Sequence, residues 1–391
     1  MGNEHLHALT SLRLFAALAI LLQHSEETLG VPFSSFSPIP LYFGVDFFFV
    51  LSGFILTFVY ADIGHATGAR AFYVARIARI WPLHLATLLI WLLVVPRGSW
   101  VIPGGEHYVL ETTLANIFLL QAWVPLFFVY FSYNAVSWSI STEAFFYLLF
   151  PWLGKDWGRT WYWKLGVVVA AVVLILCLCD WAGVRPLTGS NDFASVTTHG
   201  IVYISPFTRV FQFVVGMASA LVFIRLRQPL LRIPAVVWTG LEVFVLLMIG
   251  RVWSTGFVWS DQLFGEAETA LGAFTRGVPV TLLFGVIVLV FGLGRGLISK
   301  LLSFKPLIHL GEASFALYLI HQILLNPLQV YRDQLSSIPV GVQFCLFLLA
   351  SVLASIALHQ FVEKPCRRVI VKRFGRSNRP APSAELVPAA K

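Results

Sequence analysis

Ten runs of the chain, at about residues 9–29, 41–61, 81–96, 136–153, 164–182, 204–224, 235–250, 276–294, 309–328 and 341–362, are apolar and almost free of charge. A stretch of roughly 20 such residues lets a helix cross the hydrocarbon layer of a membrane. Within that layer only helices or closed barrels satisfy their own backbone. The pattern therefore predicts an all-α polytopic membrane protein with about ten transmembrane helices. Composition agrees, with 58% hydrophobic and 12% charged residues, against about 25% charged in soluble domains. A large soluble domain, a coiled coil and a disulfide scaffold are excluded.

Lys and Arg sort the connecting loops into two classes. Residues 61–80, 154–164, 225–234 and 295–308 carry three each and the tail from Glu363 carries eight, whereas the alternate loops hold only Arg97, Arg185, Arg251, Arg276 and Arg332. By the positive-inside rule the basic loops are cytoplasmic, and an even number of spans then makes both termini cytoplasmic. Residues 114–131 are uncharged and nearly long enough to cross, but a crossing there would turn the later basic loops outward. This segment, with Pro125 inside it, is predicted to be an interfacial or re-entrant helix. The first run lacks the basic lead and cleavage site of a signal peptide and reads as a retained helix. Residues 1–372 read as a single transmembrane domain and 373–391 as a disordered basic cytoplasmic tail. The net charge of +8 is accounted for by topology and implies the lipid bilayer, not nucleic acid, as partner.

An ionisable side chain inside a span costs a few kcal/mol and marks a functional position by default. Arg13, His24, Asp46, Glu143, Arg209 and His321 are of this kind. Counted from the outer ends of the predicted spans, all but Arg13 lie five to seven residues in, which predicts one polar layer about 7–10 Å deep. Arg13 and His24 are eleven positions apart, so both fall on one face of the first helix, about 16 Å from each other along its axis. Arg76 and Arg79, three apart in YVARIARIWP, share a face at the cytoplasmic mouth if that stretch is helical. Guanidinium groups bind phosphate bidentately. A ligand with phosphates at these arginines and a reactive end near His24 has the shape of an acyl-coenzyme A.

The motifs LTSLRLFAALAILLQH, GVDFFFVLSGFIL, RIARIWP, SWSISTEAFFYLLFP, SPFTRVFQFVVGM, SFALYLIHQ and EKPCRR, in this order from about Leu9 to Arg368, resemble those of the bacterial acyltransferase family 3 membrane proteins. Within that family the chain looks most like the single-domain ExoZ-like exopolysaccharide O-acetyltransferases. The resemblance implies O-acetylation of an envelope or secreted glycan with acetyl-CoA as donor, in the bacterial inner membrane and alongside polysaccharide-assembly machinery. It matches Arg13 and His24 to the first-helix pair, Arg76 and Arg79 to the cytoplasmic arginine pair, and Glu143 to the tryptophan-serine-glutamate motif. Thr10 and Ser11 stand where the family commonly has aspartate and glycine, and Ala144 where a second acid is common, so one carboxylate is expected there. Larger relatives carry a fused esterase-like domain. Without one, transfer is expected to go directly to the glycan or to a separate partner.

On this reading His24 is the general base for the attacking hydroxyl, or carries the acetyl group transiently. Glu143 or Asp46 accepts a hydrogen bond from the imidazole, as a triad carboxylate does. Ser139 and Tyr147, four residues either side of Glu143, contact acceptor or oxyanion. Trp138 is a sugar platform or a membrane-interface residue. Arg209 and His321, with Tyr318 in the same motif as His321, bind acceptor or neutralise the carboxylates. Ser52 and Gly53 permit close helix packing. The remaining histidines have no metal-ligand spacing, and no metal is expected. The competing class is a proton-coupled transporter or flippase, which also uses intramembrane Asp, Glu, His and Arg, although the inverted repeats of such proteins are absent from the sequence.

Overall fold

A computed structural model describes residues 6–61, 63, 68–100, 102–189, 192–264 and 269–375. Its helices are α1 (His7–Leu29), α2 (Phe43–Val59), α3 (Ala69–Val94), α4 (Val109–Ile117), α5 (Phe127–Tyr130), α6 (Trp138–Gly154) and α7 (Trp157–Trp181). They continue with α8 (Pro206–Leu230), α9 (Ala235–Phe264), α10 (Ala270–Gly292), α11 (Leu297–Leu302), α12 (Lys305–Val330), α13 (Val340–Leu358) and α14 (Lys364–Phe374). A β-bridge pairs Leu126 with Val196.

Every predicted apolar run falls on a helix. Eight of these helices are long and apolar enough to cross a membrane, while α2 and α6, with 17 residues each, stand at the short end of the spanning range. The basic C-terminal stretch is helical through Phe374, past the expected start of the tail at Arg373. Residues 376–391 lie outside the described residues.

Close helix contact rests on glycine. Apolar side chains gain little from leaving lipid for protein, so membrane helices associate by bringing small residues together. A Cβ on Gly53 of α2 would lie 1.9 Å from the Phe213 carbonyl oxygen, and a Cβ on Gly216 of α8 would lie 1.9 Å from that of Val50. The two glycines are reciprocal, and the backbones of α2 and α8 touch through them. Gly311 of α12 does the same against α1, 2.1 Å from the Thr10 carbonyl oxygen. Gly53 thus behaves as its sequence context predicts. Its neighbour Ser52 donates to Glu143 at 3.2 Å.

The segment 114–131 is not one helix. It breaks into the end of α4, a 3-10 turn at Gln121–Trp123 and the single turn α5, with Leu119 in the left-handed region at φ 57°. The nine residues of α4 measure about 13 Å. Irregular backbone inside a membrane protein survives only where protein satisfies it, and here it does. His84 Nε2 bonds the Asn116 carbonyl at 2.8 Å, Trp81 donates to the Ile117 carbonyl at 2.8 Å, and Ser141 donates to the Leu119 carbonyl at 2.6 Å. Gln121 donates to Ser137. The folded-back chain therefore covers the start of α6.

Replacing Gly216 with alanine should force α2 and α8 apart and lower stability by about 1–3 kcal/mol, the range for overpacking. Gly166→Ala in α7, where nothing lies within 4 Å of the added methyl, should be neutral or slightly stabilising. Thermal unfolding of the two variants in detergent measures the contrast, and equal transitions would contradict the glycine contact.

Candidate active site

Two cavities open between these helices. The smaller, about 170 Å³, is lined by Arg13 of α1, Ser52 of α2, Arg76 and Arg79 of α3, Ser139, Glu143 and Tyr147 of α6, and Phe315 and Tyr318 of α12. Because α3 begins at Ala69, Arg76 and Arg79 both lie within the helix and line the same cavity, as their spacing of three predicts. Arg76 donates from Nη2 to the Tyr60 hydroxyl at 3.1 Å, and its guanidinium lies 5.4 Å from the Tyr60 ring centroid and 5.8 Å from that of Tyr147. Arg79 forms an ion pair with Glu363 and lies over the Phe315 ring. Glu143 accepts hydrogen bonds from Ser52 and from the Tyr147 hydroxyl one turn on. The cavity thus holds three guanidinium groups against one carboxylate on its wall, and its net charge is positive.

The larger cavity, about 780 Å³, contains His24 and Glu27 of α1, Tyr42 and Asp46 at the start of α2, Trp138, Tyr203, Arg209 and Gln212, with Trp253 and Phe257 of α9. Its volume is within the range of small-molecule sites. Asp46 is 2% exposed and accepts from Arg209 Nη1 at 2.8 Å and from Gln212 Nε2 at 3.0 Å. Arg209 also donates from Nε to the Tyr203 carbonyl at 2.6 Å and lies 4.4 Å from that ring's centroid. Arg209 Nη2 and Gln212 Oε1 are buried without a hydrogen-bond partner. Trp138 is 4% exposed and packs edge-on to Phe49 and against Tyr203. It is a cavity residue rather than an interfacial one.

His24 pairs with another histidine. Its Nδ1 lies 2.9 Å from His321 Nε2, the two ring planes are within 12° of each other with centroids 5.2 Å apart, and His321 Nδ1 lies 3.2 Å from the Leu317 carbonyl. A carbonyl only accepts, so His321 carries its hydrogen on Nδ1 and offers Nε2 as an acceptor. His24 must then donate from Nδ1, and its Nε2 is left with a free lone pair. Neither Glu143 nor Asp46 bonds the imidazole, contrary to the triad-like expectation. Asp46 is bound by Arg209 and Gln212, and Glu143 belongs to the arginine cavity.

The residues expected in one polar layer line two cavities. His24, Asp46 and Arg209 line the larger cavity, with His321 fully buried behind His24, while Glu143 lines the smaller one together with Arg13. Glu143 faces Arg13 and the other arginines rather than the imidazole. Tyr318 and Val45 line both cavities. The Tyr318 hydroxyl donates to the Val136 carbonyl at 3.0 Å and accepts from Ser139 at 2.8 Å. Ser52, Gln212 and Tyr203 were not read as site residues. Gln212 could have been found, since it lies three positions after Arg209 and hence on its helix face.

A family model described as an acyltransferase domain matches residues 6–360. The chain is 29% identical over 412 aligned residues to acyltransferase MdmB of Streptomyces mycarofaciens, covering 98% of this chain and 97% of that protein. It is 25% identical over 388 residues to O-acetyltransferase OatA of Staphylococcus aureus (strain NCTC 8325 / PS 47), covering 95% of this chain but 58% of the relative. The chain thus spans little more than half of OatA. No solved structure matches it. With the family model extending over nearly its whole length, the chain belongs to the acyltransferase family 3 proteins and is a multi-pass membrane acyltransferase.

Proposed function

We propose that the protein moves an acetyl group from acetyl-CoA to a hydroxyl of an exopolysaccharide or other envelope glycan, free or lipid-linked, at the bacterial cytoplasmic membrane. The reading takes residues 1–372 as one domain, with both termini cytoplasmic and the glycan delivered by polysaccharide-assembly machinery. The observation that carries it is the hydrogen-bond chain from the Leu317 carbonyl through His321 to His24, which leaves a basic nitrogen on a residue lining a cavity of acceptor size. The family supports an enzyme over the transporter that the intramembrane charges also suggested.

In this mechanism Arg13, Arg76 and Arg79 hold the phosphates of the donor, and its arm extends about 16 Å along α1, past Tyr318 and Val45, to the histidine. The acceptor lies in the aromatic cavity. The unpartnered Nη2 of Arg209 and Oε1 of Gln212 are a donor and an acceptor suited to sugar hydroxyls. His24 Nε2 takes the hydroxyl proton as the oxygen attacks the thioester carbonyl. The tetrahedral intermediate collapses with cleavage of the C–S bond, and the thiolate leaves and is protonated by the imidazolium. His321 accepts from His24 Nδ1 throughout, holding the ring and its tautomer. Asp46 acts through Arg209, and Glu143 organises the arginine cavity through Ser52 and Tyr147 rather than acting on the imidazole.

His24→Ala should lower acetyl transfer by about 10²–10⁴, the range for loss of a positioned base, while acetyl-CoA binding measured by calorimetry stays near that of the wild type. Retention of more than roughly a tenth of wild-type turnover, well short of that range, would make His24 structural. Arg76→Ala should show the reverse split, with weaker acetyl-CoA binding by about 1.5–3 kcal/mol for a charge-assisted contact. Unchanged affinity in a folded variant would place the phosphates elsewhere.

A further inference from the structure

The motif EKPCRR occupies the junction between α13 and α14. Pro365 lacks the N–H that an α-helix would direct to the Phe361 carbonyl, and the backbone takes a π-helical turn over His359–Glu363 in which the Lys364 N–H reaches the His359 carbonyl. π turns of this kind recur at functional sites. This one buries both of its ionisable residues, His359 at 5% and Glu363 at 2% exposure, while Phe361 is exposed at 81%.

The Glu363 carboxylate is shared between two donors. One oxygen accepts from His359 Nδ1 at 2.8 Å and the other forms the ion pair with Arg79 Nη1. On the outer side of His359, Glu312 lies 3.8 Å from Nε2 and 3.6 Å from Lys364 Nζ. Arg79 is thereby held from two directions, by Glu363 at one nitrogen and by the Phe315 ring, 5.7 Å from the guanidinium carbon. A guanidinium has five N–H donors in one plane. One nitrogen is committed to Glu363, and the remaining donors belong to a group that lines the arginine cavity.

We infer that Glu363 is a positioning residue for the acyl donor. Through its ion pair it orients Arg79, so that the free edge of the guanidinium meets a donor phosphate without first having to be ordered. The inference rests on the proposed donor site at Arg13, Arg76 and Arg79. Its alternative has the opposite sign. If Glu363 merely neutralised Arg79, removing the carboxylate would raise the positive charge at the cavity and tighten binding of a polyanion.

The test uses the full-length protein in detergent, with acetyl-CoA as the probe. Glu363→Gln should raise Kd and KM for acetyl-CoA by roughly 3- to 10-fold, the cost of immobilising one side chain on binding, while kcat at saturating donor and KM for the acceptor stay unchanged. Glu363→Asp should recover part of the loss. In an Arg79→Ala background, Glu363→Gln should cost nothing further. Tighter acetyl-CoA binding by Glu363→Gln, or an equal loss with and without Arg79, would overturn the positioning role while leaving the donor site intact. No effect of Arg79→Ala itself on acetyl-CoA affinity would overturn both.

Discussion

The backbone contact between α2 and α8 fixes the geometry on which both cavities depend. Gly53 and Gly216 each remove a side chain where the other helix's carbonyl would collide with it, and the helices approach as closely as two polypeptides can. With that distance set, Asp46 at one end of α2 meets Arg209 and Gln212 of α8. One residue before Gly53, Ser52 meets Glu143 of α6. Val45, on the same helix, lines both cavities. A wider spacing would strand a buried carboxylate away from its cation, an arrangement that costs several kcal/mol in a low-dielectric interior.

Three carboxylates are each paired with an arginine. Asp46 is balanced by Arg209, Glu363 by Arg79, and the half-buried Asp261 by Arg276. Arg13 and Arg76 join Arg79 around a cavity whose wall carries Glu143 alone as carboxylate, leaving an excess of positive charge suited to a polyanionic ligand. The histidine pair is built differently. It contains no carboxylate, and its order comes from a backbone carbonyl that fixes one tautomer and, through it, the other. A neutral orienting partner stabilises imidazolium less than an aspartate would, which is acceptable where the leaving group is a thiolate that needs little acid assistance.

Much of this was legible in the sequence, and what was not has physical causes. All ten apolar runs became helices because hydropathy alone decides what can reside in lipid. The common face of Arg76 and Arg79 follows from helical periodicity within one segment, and the break of 114–131 into short pieces agrees with the reading made from the loop charges and Pro125. The partner of His24 was not legible, because it is 297 positions away and pairing between helices depends on their rotation about their own axes. That Glu143 faces the arginines rather than the imidazole was not legible for the same reason. The Glu363–Arg79 pair joins the last helix to the third, and its cue in the sequence was the proline that breaks the α-helical bonding.

The central claim is that one donor molecule links the two cavities, with its phosphates at the arginines and its thioester at His24. The most direct measurement is an electron cryo-microscopy structure of the full-length protein with a non-transferable thioether analogue of acetyl-CoA. The account predicts phosphate density within hydrogen-bond distance of Arg13, Arg76 and Arg79, and the pantetheine arm passing Tyr318 so that the acyl carbon lies beside His24 Nε2. Phosphates bound in the aromatic cavity, or an acyl end that stays on the Glu143 side of Tyr318, would contradict it.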